Sequence, residues 1–149
     1  MIRKLEHQRK AVAEKIREVF QASYAVEAKL LKAIHFPPLH RPLEGFTGSA
    51  NDFYGYFRDG ELAAVVEVVP GNRTTHIQSM VVHPLHFRQG IGSALLHYVL
   101  GAYDSPAFTV ETGLENGPAT GLYLKFGFRE VGQYDTDHGV RKVRFEKNL

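Results

Sequence analysis

The stretch Met80-Val81-Val82-His83-Pro84-Leu85-His86-Phe87-Arg88-Gln89-Gly90-Ile91-Gly92-Ser93-Ala94-Leu95-Leu96 decides how this chain is read. It begins as a β-rich apolar run, turns at His83-Pro84 and passes through two closely spaced glycines. It then enters a segment in which Ile91, Leu95, Val99 and Ala102 share one helical face. A strand, a glycine turn and a helix in that order can bind an anion, because the first helical turn carries unpaired N–H groups and partial positive charge. Glycines let a phosphate approach that backbone closely. A glycine turn that only packs a helix on a strand has the same local pattern, so the flanking sequence must arbitrate. A Walker A loop is excluded, since no Gly-Lys-Ser/Thr ending is present. A dinucleotide fingerprint would set an acid about 20 residues on, where Glu111 falls, but it belongs to a first parallel βαβ unit. Gly90-Ile91-Gly92 instead follows an antiparallel hairpin.

That hairpin lies upstream. Residues 52–58 (Asp-Phe-Tyr-Gly-Tyr-Phe-Arg) and 61–69 (Glu-Leu-Ala-Ala-Val-Val-Glu-Val-Val) flank Asp59-Gly60, a turn pair that tolerates positive φ at both positions. Pro70-Gly71-Asn72 makes the next turn, and 74–83 reads as another strand. Nearer the start, residues 1–6 suit a short strand. Val12, Ile16, Val19 and Phe20 recur at helical spacing, as do Val26, Leu30, Leu31 and Ile34, which predicts two helices with a break near Ser23. Pro37-Pro38 and Pro42, with Gly45, Gly48, Ser49 and Asn51, predict an irregular loop over 35–51. Downstream, 106–112 reads as a strand, and Ala119, Leu122, Tyr123 and Phe126 form one helical stripe after Pro118. Phe128–Tyr134 and Val140–Glu146 close the chain as two strands around Asp137-His138-Gly139. The pattern predicts a single α/β (α+β) domain over residues 1–149, one mixed sheet with helices on its faces.

Composition agrees. A length of 149 residues suits one domain, typically about 100–150 residues. With 44% hydrophobic and 23% charged residues the chain is globular in character rather than disordered. Cysteine is absent, which removes disulfides, thiolate metal sites and a cysteine nucleophile. The net charge of +2 is too mild to argue for nucleic acid. Residues 1–33 hold eight Lys/Arg, but Glu6, Glu14, Glu18 and Glu27 interleave with them, as on a solvated helix face. No apolar run approaches the ~20 residues of a membrane span, and Met1–Lys4 leads into no apolar leader. The expectation is a cytoplasmic protein without nucleic-acid or membrane partners. His83 and His86 have no third ligand nearby, so no metal is expected.

Two motifs together carry a resemblance. Met80-Val81-Val82-His83-Pro84 and the loop through Gly92 are similar to the acetyl-CoA-binding core of the GNAT N-acetyltransferase superfamily, whose loop reads Gln/Arg-x-x-Gly-x-Gly/Ala. Asn116-Gly117-Pro118-Ala119-Thr120-Gly121-Leu122-Tyr123-Leu124-Lys125-Phe126-Gly127-Phe128 matches that family's Asn-x-x-Ala-x-x-Leu-Tyr-x-x-x-Gly-Phe at each specified position. Residues 52–147 follow its order of elements. One departure is Phe87 at the position that opens the loop, with Arg88 displaced by one.

The resemblance implies a mostly antiparallel twisted sheet with helices on both faces. It also implies an acyltransferase that moves acetyl from acetyl-CoA, the cosubstrate, to a primary amine by direct attack through a tetrahedral intermediate. Met80, Val81 and Val82 would hold the pantetheine arm and polarise the thioester. Arg88, Gln89, Gly90, Ile91, Gly92 and Ser93 would hold the diphosphate, and Asn116 would contact the cofactor. Tyr123 would be the acid that protonates the thiolate; its other reading is one apolar tooth of its helix. For the base, the resemblance points to His76, with Glu67, Glu111 or a water relay as alternatives. Strand alternation sets His76, Gln78, Met80 and Val82 on one face unless a bulge intervenes. Tyr24, Glu27 and His35, on the first helices and the loop after them, are acceptor-site candidates. The acceptor is a small-molecule amine; a protein N-terminal or lysine amine, and a non-catalytic acyl-CoA-binding module, are the rival readings. A homodimer is compatible with all of them.

Overall fold

The computed structural model describes residues 1–33 and 35–149. Its strands are β1 (Ile2–Lys4), β2 (Asp52–Arg58), β3 (Glu61–Val69), β4 (Thr74–Val82), β5 (Ala107–Gly113), β6 (Arg129–Asp135) and β7 (Arg141–Asn148). Its helices are α1 (Lys10–Leu30), α2 (Glu44–Thr47), α3 (Ile91–Ala102) and α4 (Gly117–Lys125). The strands form one sheet in the order β1-β2-β3-β4-β5-β7-β6. β1 to β4 are antiparallel neighbours, β4 and β5 run parallel, and β5, β7 and β6 are antiparallel again. The mostly antiparallel mixed sheet expected from the sequence is present.

β3 shows why helices cover both faces. Its side chains alternate, so Ala64, Val66 and Val68 enter one core with Ile91, Leu95, Leu96 and Val99 of α3. Val65 enters the other, with Ala13, Ile16, Val19 and Phe20 of α1 and Phe46 of α2. Leu95 is wholly buried, so truncating it to alanine would cost roughly 2–5 kcal/mol. Ala102, expected on the same face, is exposed, and Leu96 is buried instead.

Two expectations for the first third need correction. α1 runs unbroken through Ser23, because no Gly or Pro interrupts it and one serine costs a helix little. Ile34, counted in the second helical stripe, lies outside the described residues. The 35–51 segment is partly regular: Pro37–His40 is a 3₁₀ turn with proline at its start, and α2 follows. Proline is tolerated there because the first N–H of a helical turn has no partner to lose. The Asp59-Gly60 hairpin stands as read, with φ of 51° and 80°.

The feature that shapes the site is a bulge. Glu67 pairs with Ser79, but Val68 pairs with Ile77, so Gln78 has no partner on β3. An extra residue inverts the alternation beyond it. Ile77, Met80 and Val82 therefore face the α3 side, whereas His76 points to the α1 side. The expected common face for His76, Gln78, Met80 and Val82 is thereby corrected. β4 and β5 pair only as far as Ile77 and Val110, and past that point the sheet opens into a slot.

Candidate active site

The turn from β4 into α3 is built from left-handed steps, with φ of 61° at Arg88 and 74° at Gly90. Such steps curl consecutive N–H groups toward a common centre. Among the described residues, the N–H groups of Arg88, Gln89, Gly90, Ile91, Gly92 and Ser93 make no hydrogen bond within the chain. The first back-bond of the helix is Ala94 N–H to Gly90 O, at 3.0 Å. These donors at a helix N-terminus form a cradle for an acceptor-only dianion. A Cβ on Gly90 would enter open space, but its φ of 74° is one that other residues rarely adopt. At Gly92 a Cβ would stand in van der Waals contact, 3.5 Å from Leu122 Cδ2 and 4.0 Å from Met80 Cε, so a longer side chain there would crowd both. The donor set fits the diphosphate of coenzyme A. Phe87, the departure from the family loop, is 41% exposed and leaves the main-chain donors in place. Arg58, at the end of β2, donates to Gln89 Oε1 and sets a guanidinium beside the loop.

The slot between β4 and β5 widens into a cavity of about 110 Å³. Tyr24 and Glu27 of α1, Met80 of β4, Asn116 and Tyr123 at α4, and Lys142 of β7 line it, under Phe36 and Pro38. Met80 lines this cavity, and its Cε would stand 4.0 Å from a Cβ on Gly92, so the cradle and the cavity are neighbours on either side of Met80.

Tyr123 is held by Phe128 and Phe145, with ring centroids at 5.7 and 5.9 Å. Burial, helped by the charges of Tyr24 and Glu27, pushes its pKa above that of an ordinary tyrosine. Its hydroxyl stays a proton donor. Asn116 caps α4 by accepting from Ala119 N–H at 3.3 Å, and its amide donates to Glu27 Oε1 at 2.5 Å. Burial also raises the pKa of Glu27, while Asn116 and Lys142 pull it back. Tyr24 is raised by burial and then by Glu27. The cavity thus sets the Glu27 carboxyl, its pKa raised by burial, beside two buried phenols.

The other base candidates lie elsewhere or are engaged. Glu67 is 1% exposed and accepts from Arg41 Nη1 and Nη2 at 2.7 and 3.0 Å, Asn51 Nδ2 at 2.9 Å and Ser79 Oγ at 3.2 Å. Arg41 also lies 4.2 Å over the Phe46 ring. That carboxylate clamps the Arg41 segment to the sheet and has no free lone pair for a substrate, which corrects its reading as a base. His76 does not line the cavity; its Nδ1 meets Thr109 Oγ1 at 2.8 Å. Burial lowers its pKa, with Glu111 opposing and Lys142 adding. Glu111 lines the cavity but accepts from Arg144 Nε at 2.8 Å and Tyr134 Oη at 3.1 Å. His35 is exposed and stacks on His40 at 5.1 Å, outside the cavity lining. Among the described residues no group of three or more metal-ligating side chains converges, and no helix is long and apolar enough to cross a membrane.

Sequence reading missed Arg41, Arg58 and Lys142. Arg41 had one available signal: Glu67, a charge inside an apolar strand, demands a partner. Arg58 and Lys142 sit far along the chain from the residues they accompany, and no spacing rule marks them.

The model of the "Acetyltransferase (GNAT) family" matches residues 10–128. The UPF0157 protein YqkA of Bacillus subtilis (strain 168) is 32% identical over 141 residues, 94% of this chain. The chain spans only 41% of that relative's length. Two solved structures share the fold. The ribosomal-protein-S18-alanine N-acetyltransferase of Escherichia coli superposes with a TM-score of 0.78 at 18% identity, covering 99% of this chain and 92% of the other. The PaiA N-acetyltransferase of Thermoplasma acidophilum, solved in complex with coenzyme A, gives 0.72 at 18% identity, covering 100% and 98%.

Proposed function

The chain belongs to the acetyltransferase (GNAT) family, and on that premise we propose that residues 1–149 act as one domain that transfers acetyl from acetyl-CoA to a primary amine of a small molecule. The observation that carries this reading is an anion cradle of free main-chain donors set beside, across Met80, a cavity lined by Tyr123 and Glu27. Acetyl-CoA supplies the thioester carbonyl that the amine attacks.

The chain's own groups then have distinct tasks. Main-chain N–H groups from Arg88 to Ser93 grip the diphosphate. The edge of β4 beyond Ile77 has no strand partner on the β5 side, which suits Met80, Val81 and Val82 to hold the pantetheine arm and donate to the carbonyl oxygen. A fixed donor of this kind can be worth roughly 3–4 kcal/mol of barrier. Glu27 receives the ammonium and takes its proton, because an amine of pKa near ~10.4 arrives charged at neutral pH and cannot attack in that form. Asn116 holds the Glu27 carboxylate in place. As the tetrahedral intermediate collapses and the C–S bond breaks, Tyr123 Oη gives its proton to the sulfur, and the phenolate is reprotonated by the proton that the new amide nitrogen sheds.

Titration calorimetry with coenzyme A, together with thiol release on a panel of amines, tests the proposal. Binding with acceptor-dependent thiol release is expected. Absence of coenzyme A binding would overturn the reading, and binding without turnover on any amine would leave an acyl-CoA-binding module.

A further inference from the structure

Lys142 is the unused charge of the cavity. It lies on β7 opposite Gly113 of β5, is partly buried, and lines the same space as Glu27, Tyr24 and Tyr123. Its neighbours on β7 are neutralised: Arg141 meets Asp135 at 2.9 Å and Arg144 meets Glu111 at 2.8 Å. Among the described residues, the Lys142 ammonium has neither an ion pair nor a hydrogen bond. The long-range attraction of Glu27 is the favourable interaction that the structure gives this ammonium, and no acceptor among the described residues stands within hydrogen-bonding reach of it. Such a group is favourable where a ligand brings the anion.

We propose that the acceptor is a compact α-amino acid, its ammonium received by Glu27 and its carboxylate by Lys142. This rests on the acetyltransferase reading above. The charges of the cavity complement a zwitterion: a simple amine would meet Glu27 but leave Lys142 without an anion, and a diacid would set a second carboxylate against Glu27 and Glu111. Size restricts the ligand further. At about 110 Å³ the cavity is of the order of the ~150 Å³ void that holds a benzene, a molecule with as many heavy atoms as alanine. Leu31, Phe36, Pro38 and Val140 give part of the wall an apolar surface, which suits a short aliphatic side chain. Lys142 is a specificity residue in this proposal and takes no part in the proton transfers.

The experiment compares alanine, alaninamide and ethylamine as acceptors with wild type, Lys142→Met and Lys142→Arg. A charge-assisted contact predicts that wild type prefers alanine by ~10-fold or more in kcat/KM, since such bonds are worth roughly 1.5–3 kcal/mol. Lys142→Met should erase that preference by raising KM for alanine more than for ethylamine, and Lys142→Arg should restore most of it. Equal use of the three acceptors by wild type overturns the proposal, as does equal loss on all three in Lys142→Met. If Lys142→Met fails to fold, Lys142→Gln replaces it under the same criteria. If no acceptor turns over, calorimetry with alanine and alaninamide on the coenzyme A complex decides, and equal or absent binding of the two overturns the proposal. Failure to bind coenzyme A at all overturns the acetyltransferase reading instead, so the two failures are distinguishable.

Discussion

The cradle and the cavity are neighbours on either side of Met80, yet they are made in different ways. The cradle is a run of main-chain donors from one contiguous segment, Arg88 to Ser93. The cavity is made of side chains from α1, β4, β5, α4 and β7, drawn from residues as distant as Tyr24 and Lys142. A backbone site tolerates side-chain change, which is why Phe87 can stand where the family loop has Gln or Arg. A side-chain site does not, and its chemistry is set by five independent positions. The difference predicts two separable kinds of damage, one on coenzyme A binding and one on turnover.

The sharpest way to break the separation is Tyr123→Phe. Loss of a general acid lowers rates by ~10²–10⁴-fold, so kcat should fall by at least ~100-fold. Coenzyme A affinity by calorimetry should hardly move, because the phenol touches no cradle group. A parallel fall in both would merge the two regions into one unit. The complementary change is Gly92→Arg. Its side chain must force apart Leu122 and Met80, and overpacking of this kind costs about 1–3 kcal/mol. Coenzyme A should bind ~10–100-fold more weakly, a loss that saturating coenzyme would partly mask in kcat. Unchanged affinity would place the dianion elsewhere.

Glu27→Gln probes the cavity more gently. The group's pKa is raised by burial, so its base form appears only above the ordinary carboxylate range. Activity should therefore rise with pH along an acid limb displaced upward from that range. The variant should lose about tenfold to a hundredfold in kcat and lose the limb. Linkage gives a second readout with a definite sign. A carboxyl whose folded pKa exceeds its unfolded value contributes stability below the unfolded pKa and loses it as pH rises through the folded one. The wild type should therefore be less stable at neutral pH than Glu27→Gln, and thermal melts across pH should show the two curves converging on the acid side.

The same division explains what was legible. The strand order, the Asp59-Gly60 hairpin, the glycine loop and the Asn116–Phe128 motif follow from local pattern, because each is one segment obeying one periodicity or one turn rule. Glu27 and Tyr24 stood out only as acceptor-site candidates, and Lys142 not at all, since their meeting depends on the path of α1 over β4, β5 and β7. The continuous helix through Ser23 was hidden for a related reason. Its apolar face is fixed by packing on Phe53, Val65 and Val81, and packing overrides the small local cost of a serine.

His76→Ala should have the smallest effect, and it tests the bulge directly. Had β4 been regular, alternation would have set His76 on the face of Met80. Gln78 is the additional residue that turns it away, and the ring is occupied with Thr109. Its pKa, lowered by burial, also leaves it neutral over most of the working range, so little charge is lost on substitution. Rates within about twofold of the parent are expected, as for replacements outside packed and catalytic positions, with an unaltered acid limb. If His76→Ala instead removed that limb while Glu27→Gln kept it, the base would belong to the strand and Glu27 would be left as an anchor for the ammonium alone.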